Sequence, residues 1–196
     1  GKSNRRGMAG GVHYGLRRVL MQGKSPSRPA LAVLIAAVCA SAAELPDGMR
    51  FLPGPVNGLL VRDRVLVYGD PEDRAANVRY VLFTHARRDA VWAGTAAVER
   101  GAAAIVPERE RRLFENPASF WEAYETARFH DYSQVNTKVL RLPMRVTRAV
   151  RGGEVLDLAG VKVEVIDTPG YTPGAVSYLF EAGGRRVACT GDLIYG

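Results

Sequence analysis

The chain has 196 residues, of which 47% are hydrophobic and 24% charged, a composition that suits one globular domain with a short extension. Its formal net charge of +7 would suit a nucleic-acid-binding protein, but seven basic residues and no acidic ones lie within residues 1–42. From residue 43 onward 20 basic residues balance 20 acidic ones, so composition gives no electrostatic case for nucleic acid as a partner.

The basic leader has the order of a secretory signal peptide. Lys24 and Arg28 precede an apolar run at 30–39, and the small residues at 40–42 follow it. A charged region, a short apolar core and small residues are the three parts that the export machinery recognises. The apolar run is too short to span a bilayer comfortably. The leader therefore predicts export, to the periplasm or outside the cell.

Three segments follow from this interpretation. We expect an upstream extension at 1–20, a signal peptide at 21–42 and a partial domain at 43–196, with no integral membrane segment after cleavage. Cys39 would leave with the signal, so Cys189 would be the single cysteine of the mature part and no disulfide could form within it.

The first half of the domain alternates between strand and helix patterns. Two short β-rich runs around the turn at 62–64 predict a hairpin. A nearly continuous apolar run at 78–84 predicts a strand that is covered on both faces. Helices are predicted at 92–100, 108–114 and 120–128, with a strand at 104–106 between the first two.

The second half changes to a β pattern. Short strands separated by glycine turns are predicted at 139–142, 154–158, 161–166, 176–180 and 186–190. A strand–helix alternation that is followed by a β meander indicates an α/β domain.

Three segments at or near the ends of predicted strands carry side chains that can bind a metal or act in catalysis. The first is FTHARRDA at 83–90, the second is VIDTPGYTPG at 165–174, and the third is CTGD at 189–192. Histidine and carboxylate side chains are ligands for zinc and other divalent metals.

In their order and spacing these segments resemble the T-H-x-H-x-D-H loop, the T-P-G-H-T-x-G turn and the T-G-D strand end of the metallo-β-lactamase superfamily. The resemblance covers roughly residues 54–196. It implies an αββα sandwich with metal ligands in a cleft between two sheets. The sandwich would be incomplete here, with the first half and the start of the second, because a further family histidine would lie beyond Gly196.

Three family ligand positions are matched, by His85, Asp89 and Asp192. The resemblance implies that they hold zinc or another divalent metal, and that Asp89 also orients the attacking hydroxide. The implied function is metal-dependent hydrolysis of an ester, amide or thioester-like bond in a small-molecule substrate.

Three other positions depart from the family. Arg87 and Ala90 stand where the second and third histidines of the loop would be, and Tyr171 replaces the histidine after Pro-Gly. The site would therefore be at most mononuclear within this sequence. Some relatives keep an Arg-Asp pair and replace the third histidine by an amide side chain, and Arg88 with Asp89 resembles that variant.

Two interpretations of this divergent site remain open. In one, the three matching ligands hold a single metal, with His130 as a possible helper. In the other, no metal is bound, and Arg87 with Arg88 balances Asp89 and Asp192 in an inactive binding domain, because a guanidinium cannot coordinate a cation. Arg87, His130 and Tyr171 are the candidates for substrate contact or for substituting the missing ligands.

A GTPase is the rival from another class, because DTPG at 167–170 also occurs in a GTPase switch turn. The sequence lacks a phosphate-binding loop followed by a helix pattern, and 136–139 lacks the aspartate of a base-reading motif. These absences argue against nucleotide hydrolysis.

Overall fold

The computed structural model describes residues 45–70, 72–126 and 139–193. The predicted upstream extension and signal peptide, together with His130, lie outside these ranges.

Six strands form the first sheet and neighbour one another in chain order. They are β1 (Met49–Leu52), β2 (Gly58–Val61), β3 (Val65–Val67), β4 (Tyr80–Leu82), β5 (Ala103–Pro107) and β6 (Arg148–Val150). The β1–β2 and β2–β3 pairs are antiparallel, and β3 to β6 run parallel. Parallel neighbours need long crossover connections, which here carry the helices.

The helices cover one face of this sheet. They are α1 (Arg88–Glu99), α2 (Arg111–Glu115) and α3 (Ala118–Thr126), and a 3-10 turn at Glu108–Glu110 leads into α2. Val91 of α1, Phe114 of α2 and Trp121 of α3 are buried in the same apolar cluster as Leu66 and Val81 of the sheet. This cluster fixes where α1 begins relative to the end of β4.

Four antiparallel strands form the second sheet. They are β7 (Val155–Leu158), β8 (Val161–Asp167), β9 (Val176–Ala182) and β10 (Arg185–Cys189), in the order β10-β9-β8-β7. Along β8 buried and exposed residues alternate, as expected of a strand with one face on a core.

The two sheets share a second apolar cluster. Val67 and Leu82 of the first sheet pack with Val165 and Tyr178 of the second. The described part therefore has a helix layer, a sheet and a second sheet, which confirms the predicted α/β sandwich. Within the described ranges no helix covers the outer face of the second sheet.

The predicted hairpin and most strands are confirmed, but the strand predicted at 139–142 is wrong. Val139 is buried in the helix-side cluster, while Leu142 is 73% exposed, so the segment does not lie in either sheet. Pro143, which cannot donate to a strand partner, follows directly. The sequence did not predict β6, whose three residues are too few to show an apolar alternation.

Helix α1 begins at Arg88, four residues earlier than predicted. Asp89 then lies in its first turn, where the positive end of the helix dipole favours a carboxylate. The candidate site residue Asp89 is therefore part of a helix and not of a loop.

No helix within the described ranges combines the length and the apolar character needed to cross a membrane.

Tyr178 ties the two sheets together close to the first motif. Its buried hydroxyl donates a hydrogen bond of 2.9 Å to the carbonyl oxygen of Phe83. We expect Tyr178→Phe to lower the free energy of unfolding by about 1–3 kcal/mol, because that carbonyl loses its partner in a dry core. Urea denaturation measures the change.

Tyr80→Phe is the matched control, since the Tyr80 hydroxyl makes no hydrogen bond with the described residues. Equal stability losses in the two variants would contradict the role given to the Tyr178 hydrogen bond.

Candidate active site

The three sequence motifs meet at one end of the space between the sheets. Residues 83–90 lead from β4 into α1, 168–175 connect β8 to β9, and 190–192 follow β10. The Val176 amide donates to the Thr84 carbonyl at 2.9 Å, which joins the first two motifs. The fold therefore gathers segments that lie up to about a hundred residues apart.

A cavity of about 430 Å³ opens at this place. Charged and titratable side chains from His85, Arg87, Asp89 and Asp192 line one part of it, and the apolar side chains of Phe51, Pro55 and Val56 line another. Its size and mixed lining suit a small molecule.

Arg87 joins both candidate carboxylate ligands. Its Nη1 donates a short hydrogen bond to Asp192 Oδ2, and its Nε lies 2.9 Å from Asp89 Oδ1. The Arg87 side chain is only 19% exposed, so these charged contacts are partly shielded from water. One guanidinium thus offsets two carboxylates.

His85 lies beside this ion pair. Its side chain is 3% exposed, and its Nδ1 lies 2.8 Å from Thr84 Oγ1. Its Nε2 is 3.5 Å from Asp192 Oδ2, at the limit of a hydrogen bond, and is buried without a well-formed partner. A buried ring nitrogen without a partner costs stability, and a ligand would remove that cost.

The site holds Asp192 in its charged form. The contact with His85, and then the hydrogen bond from Arg87, lower the pKa of Asp192 to about 2, against partial burial that acts to raise it. Partial burial acts to lower the pKa of Arg87, but the hydrogen bond and charge of Asp192 outweigh it and the pKa is raised. The Arg87–Asp192 pair is therefore ionised at neutral pH.

Tyr171 lies over the pair. The centre of its ring is 5.4 Å from the Arg87 guanidinium carbon and 5.6 Å from the centre of the His85 ring, which it meets edge-on. A cation over an aromatic face is attracted to it. Tyr171 is 40% exposed.

Arg88 does not balance Asp89 or Asp192, as one of the two interpretations expected. It is exposed at the start of α1, and among the described residues it forms no ion pair with a carboxylate. Asp89 pairs with Arg87, one position earlier, and Ala90 is buried. The positive charge that was expected from Arg87 and Arg88 together is therefore supplied to both carboxylates by Arg87.

The donor atoms suit one divalent ion in type, because they include an imidazole nitrogen without a well-formed partner and two carboxylates. Their present positions do not complete a site. Within the described ranges no group of three histidine, cysteine, aspartate or glutamate side chains is placed to hold a metal, and Arg87 holds both carboxylates. His130 lies outside those ranges.

The sequence did not indicate a role for Tyr68, which supports the segment that carries Asp192. Its hydroxyl accepts a hydrogen bond of 2.5 Å from the Gly191 amide, next to Asp192, and also contacts Thr84. Burial raises its pKa, so the hydroxyl stays protonated. Its φ of 68° is unusual for a residue other than glycine, and nothing in the sequence signals it.

A role for Glu110 was also not predicted, because Glu110 lies in a run of charged residues that is typical of the solvent-exposed start of a helix. It is instead buried, and its carboxylate accepts a hydrogen bond from the Ala86 amide.

Cys189 lines the cavity but is not suited to be a nucleophile. Burial raises the pKa of its thiol to about 12, so the reactive thiolate is scarce at neutral pH.

No family model matches the sequence. One curated relative, a hydroxyacylglutathione hydrolase from Acidiphilium cryptum, is 44% identical over 55 residues. That stretch is 28% of this chain and 21% of the relative.

Similar solved structures include several metallo-β-lactamases. MIM-1 from Novosphingobium pentaromativorans has a TM-score of 0.52 and 20% identity, and covers 74% of this chain and 59% of its own. FEZ-1 from Legionella gormanii has a TM-score of 0.55 and 14% identity, with coverages of 74% and 60%.

A third similar structure is a metallo-β-lactamase from Cronobacter sakazakii described by its HARLDQ motif. Its TM-score is 0.52 at 19% identity, and it covers 76% of this chain and 61% of its own. Residues 85–90 here read HARRDA, so they share the histidine, alanine, arginine and aspartate of that motif.

This chain thus spans about three fifths of the length of these solved chains, in agreement with the expectation of an incomplete sandwich. Its helix layer, its two facing sheets and these similarities show that the chain has the metallo-β-lactamase fold.

Proposed function

We propose that this chain is part of a metal-dependent hydrolase that cleaves an ester, amide or thioester-like bond in a small molecule. The buried His85 Nε2, which lacks a well-formed partner and faces Asp192 in the cavity, carries this proposal. Hydrolytic function is supported by the names of the similar proteins, which are β-lactamases and a hydroxyacylglutathione hydrolase. Export through the signal peptide predicted at 21–42 belongs to the same proposal.

One metal, zinc or another divalent ion, would be held by His85, Asp89 and Asp192. When bound, such an ion lowers the pKa of a coordinated water so that hydroxide is available at neutral pH. Arg87 would have to release the carboxylates for this set to close. The HARLDQ motif supports this possibility, because it has an arginine at the same place in a protein named as a metallo-β-lactamase.

Two further residues would act on the substrate side. Asp89 lines the cavity beside His85 and is the proposed orienting base. Tyr171 is partly exposed beside Arg87 and His85, and its ring and hydroxyl would contact the substrate.

A second candidate is a catalytically inactive binding domain that needs no metal. The observation that favours it is the Arg87 guanidinium, which already joins Asp89 and Asp192. In that case the cavity binds a small molecule without cleaving it.

The two candidates differ in how Arg87 affects metal binding. We expect Arg87→Ala to tighten zinc binding by about tenfold or more, because it removes a positive charge and frees both carboxylates. Competition with a chromophoric chelator measures the dissociation constant in the full-length protein.

Arg88→Ala is the control, because it removes the same charge from an exposed neighbour that contacts neither carboxylate. Fewer than about 0.1 zinc ions per chain in both the wild type and Arg87→Ala would rule out the metal-dependent function.

Catalysis gives a separate test. Asp192→Asn should lower hydrolysis of the best substrate among a chromogenic β-lactam, a thioester and an aryl ester by at least about 100-fold. The control is Asp157→Asn, outside the cavity, because an amide oxygen can still accept the hydrogen bond from the Gly160 amide. Unchanged turnover in Asp192→Asn would exclude this cavity as the active site.

The ion pair also predicts a pH dependence in the metal-free protein. The pKa of Asp192 is about 2 in the fold and 3.8 ordinarily, so its stabilising effect is complete above pH 3.8 and is lost as pH falls toward 2. Arg87→Ala should raise the folded pKa toward 3.8 and so reduce this loss. Carboxyl carbon NMR of Asp192 measures the pKa, and an unchanged value would contradict the pairing with Arg87.

A further inference from the structure

Glu110 is a buried carboxylate between two loops of the site. It is 3% exposed and ends the 3-10 turn that precedes α2. Its Oε2 accepts a hydrogen bond of 2.6 Å from the Ala86 amide. Its Oε1 accepts one of 3.2 Å from the Gly174 amide and a short one from the Thr172 hydroxyl. No ion pair of Glu110 occurs among the residues that the structure describes, so these three donors stabilise its carboxylate.

The two loops that Glu110 joins are those that carry the ion pair and its cover. Ala86 lies between His85 and Arg87, and Thr172 follows Tyr171. The same loops also meet where the Tyr171 ring contacts His85 and Arg87. Glu110 on one side and the ring contacts on the other therefore fix the distance between the loops.

Gly174 allows this close approach. A Cβ atom at residue 174 would lie 2.5 Å from Glu110 Cγ and 2.9 Å from Arg109 Cβ. Such distances exclude a side chain, so the turn that follows Tyr171 can lie directly against the Glu110 side chain.

We propose that Glu110 is a positioning residue that holds the Tyr171 ring against His85 and Arg87, and that through the position of His85 it also sets the affinity of the cavity for zinc. The second half of this proposal rests on the proposed function, whereas the first does not. Both oxygens of Glu110 must accept hydrogen bonds. Glutamine has the same length, but its NH₂ group would face either the Ala86 or the Gly174 amide, which cannot accept a hydrogen bond.

The contact between the Tyr171 and His85 rings gives a measurement that a loss of stability alone would not change. In the zinc-free full-length protein, the carbon-bound protons of the His85 ring report the nearby Tyr171 ring by NMR. Tyr171→Leu calibrates the shift that follows loss of that ring. We expect Glu110→Gln to move the His85 signals in the same direction as Tyr171→Leu, and to move the Ala86 amide proton upfield.

Glu108→Gln is the matched control. It makes the same change two residues earlier, at a partly exposed side chain that pairs with Arg151, and it should leave the His85 signals in place. Where Glu110→Gln does not fold, Thr172→Val removes only one donor to Glu110 at nearly constant size, and should shift the His85 signals in the same direction by less. If Glu110→Gln folds and its His85 signals do not move, the positioning role is overturned. If Glu110→Gln does not fold, unmoved His85 signals in Thr172→Val overturn the role instead.

Zinc titration tests the second half of the proposal. Glu110→Gln should weaken zinc binding by about 10–100-fold, and Glu108→Gln should leave it unchanged. A shift of the His85 signals with unchanged zinc affinity would overturn the link to the metal. A wild-type protein that binds no zinc would remove the link to the metal, and the proposed function would fall with it only if Arg87→Ala also binds none, while the His85 signals would still decide the positioning role.

Discussion

The site depends on one guanidinium between two carboxylates. Asp89 belongs to the first turn of α1 and Asp192 follows β10, so without an opposite charge their repulsion would act between the helix layer and the second sheet. Arg87 supplies that charge from within the chain. In the proposed function the same contact would withhold Asp89 and Asp192 from a metal, so Arg87 and the metal would compete for the same carboxylates.

The core beneath the site gives the ion pair its geometry. The Tyr178 hydroxyl and the Val176 amide, both on β9, bind the carbonyl oxygens of Phe83 and Thr84 where β4 ends. His85 thus follows directly on a backbone that both sheets hold. A side chain that is locked by packing on rigid elements can be placed precisely enough for ligand binding, which a free loop cannot do.

Periodicity and motif order were enough to predict the hairpin, most strands, the fold and the residues His85, Asp89 and Asp192 that lie in one cavity. The pairing of Arg87 with both carboxylates was predicted only as one of two alternatives, because sequence spacing does not show where a long flexible side chain points. The roles of Tyr68 and Glu110 could not be predicted. Both act through hydrogen bonds to backbone amides of distant loops, at Gly191 and at Ala86 with Gly174, and such contacts leave no periodic pattern.

The left-handed backbone of Tyr68 shows where this fold gives up stability. A residue with a side chain costs of the order of 1–3 kcal/mol in a sparsely populated conformation, which a glycine would avoid. Glycine would also remove the hydroxyl that holds the Gly191 amide. A substitution that stabilises the backbone at residue 68 therefore costs the site the contact that keeps Asp192 in place. At this residue, higher stability and a well-placed Asp192 exclude each other.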